Sequence, residues 1–173
     1  MVGTGAGFGN ESGNGEKYMG AFAWRPSAEW VLDLYADYDF LTGQADRATL
    51  QAFVGYTADR LRWGAQYSYQ DRQEEAPLDL ASMFVVWRWQ DDASLVLRVD
   101  RLFEPSPRGD DISYLPFDPS APATFIIAGA EFRLREPLFF TPNVAITAYD
   151  RNDAGSRPPT DVYLRFTFFL DLE

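Results

Sequence analysis

The sequence predicts an all-β chain. It reads as a single antiparallel, up-and-down transmembrane β-barrel domain of about ten strands over residues 1–173, or as the C-terminal part of a larger barrel. Three observations carry that expectation. Residues 28–40, AEWVLDLYADYDF, alternate without a slip, placing Trp30, Leu32, Leu34, Ala36, Tyr38 and Phe40 opposite Glu29, Asp33, Asp37 and Asp39. A period of two is that of an extended strand with one apolar and one polar face. The same alternation recurs along the chain between connections that are by turns tight and long. Aromatic residues make up 16% of the sequence and gather toward strand ends, as in the girdles of membrane-spanning barrels.

Taken in order, the weakest candidate is 2–10, where every second residue is glycine, a strand facing a crowded lumen or a tail. Segment 17–25 rests on Tyr18, Phe22 and Trp24, and 28–40 follows it. In 49–57 the apolar row is Leu50, Ala52, Val54 and Tyr56; in 61–71 it is Leu61, Trp63, Ala65, Tyr67 and Tyr69. Segment 80–90 carries Ala81, Met83, Val85, Trp87 and Trp89, and 94–103 carries Leu95, Leu97 and Val99. In 123–135 the row runs from Ile126 to Leu134, in 143–151 from Val144 to Ala148, and in 160–172 from Val162 to Leu172. Tight turns are expected at Pro26-Ser27, 58–60 and Asp91-Asp92, with 136–142 slightly longer. Long polar connections are expected at 11–15, 41–48, 72–79, 104–122 and 152–159. Outer-membrane barrels sort their connections in this way, short on the periplasmic side and long outside.

The tryptophans agree with that orientation. Trp24, Trp30, Trp63, Trp87 and Trp89 all lie beside tight turns, forming one girdle. Tyr38, Phe40, Tyr67, Tyr69 and Phe103 lie near the opposite strand ends. Strands of about 11 residues tilted by roughly 40° span an apolar band of about 25 Å. Arg101 breaks the pattern with outward parity, but it sits close to a long loop, where an arginine snorkels to headgroups at small cost.

Composition excludes several classes. Lys and Arg number 15 against 26 Asp and Glu, a net charge of −11, which argues against a nucleic-acid partner. No run approaches the roughly 18 apolar residues of a transmembrane helix. Histidine and cysteine are both absent, which removes Ser-His-Asp triads, imidazole-dependent proteolysis and thiolate chemistry. An enzyme is therefore not expected, nor a cofactor. The Gly-rich GTGAGFG lacks the strand, lysine and helix of a nucleotide loop. Asp110-Asp111 and Asp91-Asp92 have no EF-hand spacing, so no metal site is expected. The first residues, MVGTGAGFGN, carry neither a basic n-region nor an apolar h-region, as expected of a mature form or of a fragment.

Interior charge is the nearest thing to a functional constellation. Parity turns Asp33, Asp37, Arg62, Arg88, Arg98, Asp100, Glu131, Arg133 and Arg165 inward as pore-lining candidates. Arg62, Arg88, Arg98 and Arg165 are expected to form a basic wall facing Asp33, Asp37 and Glu131, a transverse field that selects by charge. The same groups could instead pair and close a small lumen. Phe53, Phe84, Phe125, Tyr163 and Phe169 share the inward parity and would contact a ligand or pack a narrow barrel. The loop 104–122 is either an external loop stiffened by its prolines or an inward constriction bringing Asp110, Asp111 and Asp118.

The run VLRVDRLFEP, followed by TFIIAGAEFRLREPLFFTPNVAIT, resembles the C-terminal region of bacterial outer-membrane porins of the phosphate-selective porin O/P type. The positions carrying the resemblance are Arg98, Asp100, Arg101, Ile127, Ala128, Gly129, Glu131, Pro142, Asn143 and Val144; the N-terminal GTGAGFGNESGNGEKYMGAFAWRP is similar to that family's Gly-rich strand, loop and hairpin. The resemblance implies a larger barrel, of which this chain covers the C-terminal part. Two features depart from the family: no terminal aromatic is present, and no loop lysine cluster carries over an anion preference. The expected function is a Gram-negative outer-membrane channel for passive diffusion of small hydrophilic solutes or ions. Its partners would be outer-membrane lipids, the barrel-assembly machinery and the solutes, with homo-oligomerisation left open. The rivals are a closed barrel serving as anchor or adhesin through its loops, a carboxylate-only enzyme on a ten-stranded barrel, and a soluble lipid-binding barrel with its apolar face turned inward.

Overall fold

The period-two segments become successive strands of one sheet. The protein is described by a computed structural model covering residues 2–4, 16–40, 46–73, 75–106, 109–110, 117–135 and 138–170. Its strands are β1 (Val2–Thr4), β2 (Glu16–Trp24), β3 (Trp30–Phe40), β4 (Arg47–Thr57), β5 (Leu61–Arg72), β6 (Glu75–Gln90), β7 (Ala93–Leu102), β8 (Ala123–Arg135), β9 (Leu138–Tyr149) and β10 (Asp161–Leu170). They lie side by side in chain order, each antiparallel to the next. This is the expected all-β, up-and-down meander, and no described residue is helical. Residues 5–10 of the first expected strand and 171–173 of the last lie outside the described residues.

Two connections differ from expectation. The polar stretch 72–79 is a tight hairpin rather than a long loop, because β5 runs on to Arg72 and β6 starts at Glu75. Arg72 holds it by donating from Nε to the Ala76 carbonyl at 2.9 Å and from Nη1 to Glu75 at 2.5 Å. Gln73 takes the left-handed conformation the turn needs (φ 52°). Pro77 is tolerated because this extension of β6 pairs with β5 alone, leaving Pro77 at an edge where no ladder donor is required. Likewise β9 begins at Leu138 and passes through Pro142. The pairing with β8 skips from Gly129–Asn143 to Phe132–Phe140, interrupting the ladder where proline has no N–H.

Register sorts the side chains into two continuous faces. One row runs Trp24, Leu32, Val54, Ala65, Met83, Val99, Ile126, Ile146 and Val162 across nine strands. The adjacent row on the other face runs Asp33, Phe53, Gln66, Ser82, Asp100, Phe125, Thr147 and Asp161. The burial is inverted relative to a water-soluble sheet. Leu164 is 74% exposed and Phe166 70%, whereas the side chain of Asp37 is only 5% exposed. Of the six buried apolar residues among those described, Ala121, Ala123, Phe125, Ala145 and Tyr149 lie on or against the polar face near Phe117, and Ala93 lies at the β6–β7 turn. The sheet is open among the described residues, since β1 pairs only with β2 and β10 only with β9.

Candidate functional site

The apolar face is banded. At the tight-turn end Trp30 packs on Tyr56 (4.9 Å between centroids) and edge-on to Trp63 (5.7 Å). Trp89 meets Phe132 at 5.9 Å, and Phe140 stacks on Phe168 at 4.8 Å. At the opposite end Tyr38, Phe40 and Tyr18 form a second cluster, with centroids 4.6 and 5.9 Å apart. Trp24 and Trp87, each about half exposed, complete the first band. Between the bands lie mostly aliphatic and small residues, with Phe22 and Tyr67 in the row of Leu34 and Ala52. Among the described residues, charge reaches this face only at the long-loop end: Glu16 stands opposite Phe40, Asp71 opposite Ala48, Asp79 opposite Tyr69, and Arg101 opposite Thr124. Arg101 lies on the apolar face as its parity indicated, donating to Thr124 Oγ1 (3.0 Å), pairing with Asp150, and lying 5.6 Å from the Phe103 ring. The Arg101 guanidinium holds the Asp150 carboxyl below the usual carboxylate range. From Asp79 to Trp89 is about ten residue steps along β6, an apolar height of about 25 Å at roughly 40° tilt.

On the polar face, register places all nine pore-lining candidates together: Asp33 and Asp37 on β3, Arg62 on β5, Arg88 on β6, Arg98 and Asp100 on β7, Glu131 and Arg133 on β8, and Arg165 on β10. Their pairing is local. Arg98 Nε reaches both Asp100 oxygens at 3.0 and 2.8 Å, and Ser82 also donates to that carboxylate. Asp37 pairs at 3.3 Å with Lys17, a residue that sequence reasoning passed over although its parity on β2 was readable. Asp33 and Asp39 each keep one buried carboxylate oxygen without a protein partner. Glu131 does not stand opposite the arginines; it lines the same tight-turn cavity as Arg62 and Arg88, because Arg88, Ser94 and Glu131 share one row.

Inward phenyl rings need not obstruct this face. Gly55 and Gly64 pair directly across β4 and β5, and a Cβ on Gly64 would lie 2.7 Å from the Phe84 ring and 2.8 Å from that of Phe53. Both rings therefore lie against the bare backbone rather than upright from the wall.

Among the described residues of the 103–122 connection, Phe117 and Ala121 lie against the polar face. Phe117 packs on Phe125 at 5.8 Å, and Ile127, Ala145 and Tyr163 belong to the same cluster. The Asp118 N–H donates to the Tyr149 hydroxyl (3.0 Å), which donates to Asp161 (2.8 Å). The Asp118 carboxylate accepts from the Ser120 hydroxyl and N–H at 2.6 and 2.8 Å, which holds its pKa below the usual range. Asp110 is exposed, and Asp111 lies outside the described residues. Phe117, Tyr149 and Asp161 went unread in the sequence, because nothing in their own segments indicates a contact across strands.

The geometry defines a β-meander with a banded apolar face and a charged, partly sheltered opposite face. No protein-family model, curated protein or solved structure matches the chain.

Proposed function

We propose that this chain is the wall of an outer-membrane β-barrel that admits small hydrophilic solutes or ions by passive diffusion. The single observation that carries the reading is the inverted burial: aliphatic and aromatic side chains face outward along nine strands, while Asp33, Asp37 and Asp100 are sheltered on the other face. Water would leave that arrangement with a large exposed apolar surface, whereas acyl chains solvate it. A soluble lipid-binding barrel would carry the opposite polarity. The free edges of β1 and β10 then pair in the membrane, since hydrocarbon offers no hydrogen bonds to unpaired backbone. Field and width, rather than chemistry, do the selecting. The likeness to porins of the phosphate-selective O/P type belongs to this proposal, as do the bacterial outer membrane, its lipids, the assembly machinery and any homo-oligomer.

Phe117 against the inner face favours a second reading, a barrel with a filled lumen that anchors external loops. Planar-bilayer recording separates the two. Steady channels of defined conductance support the diffusion pathway, and a folded, inserted protein that stays silent excludes it.

A further inference from the structure

At the tight-turn mouth of the polar face, a cavity of about 260 Å³ holds charges of both signs. Backbone bonds assemble it. Ala58 and Leu61 close the β4–β5 turn with mutual bonds of 2.8 and 3.3 Å, presenting Asp59 and Arg60. The Arg88 N–H then donates to the Arg60 carbonyl at 2.8 Å, sewing the end of β6 to that turn. Arg62 enters from β5, and pairing through Ser94 brings Glu131 from β8.

The opposite charges lining the cavity, each on a solvent-exposed residue, do not use one another. Asp59, Arg60, Arg62, Arg88 and Glu131 form no ion pair or side-chain hydrogen bond among the described residues. Elsewhere on the same face such groups do pair, as Arg98 with Asp100 and Lys17 with Asp37. Guanidiniums left free offer forked donors to a carboxylate, and carboxylates left free accept from an ammonium. An anion alone would leave Glu131 and Asp59 repelling it, and a cation alone would meet three arginines.

We propose that this cavity binds a small zwitterion of the α-amino-acid class, its carboxylate toward Arg60, Arg62 and Arg88 and its ammonium toward Glu131 and Asp59. Its volume lies below the roughly 300–1,000 Å³ of drug-sized sites, which suits a solute of that size. The inference rests on the reading that this face borders an aqueous lumen.

Ligand-detected NMR on the full chain folded in detergent micelles tests it, with L-alanine as probe and propionate and ethylammonium as its single-charge halves. Alanine is expected to bind about tenfold more tightly than either half. Arg88→Gln and Glu131→Gln are each expected to weaken it about tenfold, the scale of one lost charge-assisted hydrogen bond. Circular dichroism checks the fold of each variant, and Arg60→Gln gives an independent removal on the turn. Propionate binding as tightly as alanine, or alanine binding indifferent to Glu131→Gln, overturns the proposal. Steady bilayer conductance without alanine binding overturns the site but not the channel; alanine binding without conductance supports the site and overturns the channel.

Discussion

The Phe53 ring lies across Gly64 so closely that a methyl group on the glycine would sit 2.8 Å from the ring edge, and 2.7 Å from Phe84. Gly64→Ala should therefore displace both rings from the wall. Overpacking of this kind costs about 1–3 kcal/mol, and rings pushed upright narrow whatever passes. A lowered urea midpoint together with reduced single-channel conductance is the expected pair of results; unchanged conductance would mean that the rings do not border the pathway.

Neighbouring residues at mid-strand test the faces directly. Ala52 stands on the apolar face between Leu34 and Tyr67, and Gln51 on the other between Tyr35 and Ser68. Arginine at a lipid-facing midplane position costs about 2–4 kcal/mol. Ala52→Arg should lose that much in reversible unfolding from lipid, and Gln51→Arg far less. Equal losses would contradict the membrane-facing assignment.

The inward strap hangs on few groups. Tyr149→Phe removes the hydroxyl that accepts from Asp118 and donates to Asp161, and Phe117→Ala removes the ring packed on Phe125. Losing a partner at such a site costs about 1–3 kcal/mol. Both variants should release 117–122 to protease and raise single-channel conductance. If cleavage rises while conductance does not, the strap does not narrow the lumen.

Acid should act on the Arg101–Asp150 pair in a definite direction. Arg101 depresses the folded-state pKa of Asp150 below its ordinary value of 3.8. The stabilisation is therefore present above that value and is lost as pH falls through the lower folded-state pKa. Asp150 is half exposed, so the contribution is at most about 1 kcal/mol. Relative to intrinsic rates at each pH, the protection of amides in 150–160 should be unchanged between neutral pH and about pH 5, and fall in stronger acid. Asp150→Asn should show the faster exchange already at neutral pH, once intrinsic rates are corrected.

Edge pairing makes a further prediction. β10 runs toward the tight-turn end, as does β2, so an antiparallel neighbour must run the other way, as β1 does. In lipid, the alternate β10 amides that point away from β9 should exchange as slowly as those that point toward it. Fast exchange in that set alone would show an edge left open.

By itself, the sequence determined the strands and their faces. Alternation at Trp30–Phe40 or Asp161–Leu170 is a local property, since successive side chains must point to opposite sides. Once one face of β3 is known, antiparallel register carries it to every neighbour, so even the outward Arg101 was legible. Prolines misled at two positions: Pro77 and Pro142 read as loop, yet an unpaired edge and an interrupted ladder admit them. Only the tertiary structure decided which charges pair, that Glu131 joins Arg62 and Arg88 rather than opposing them, and that Phe117 turns inward onto Phe125. Those contacts depend on register between strands and on the path of a long connection, and the two-residue period specifies neither.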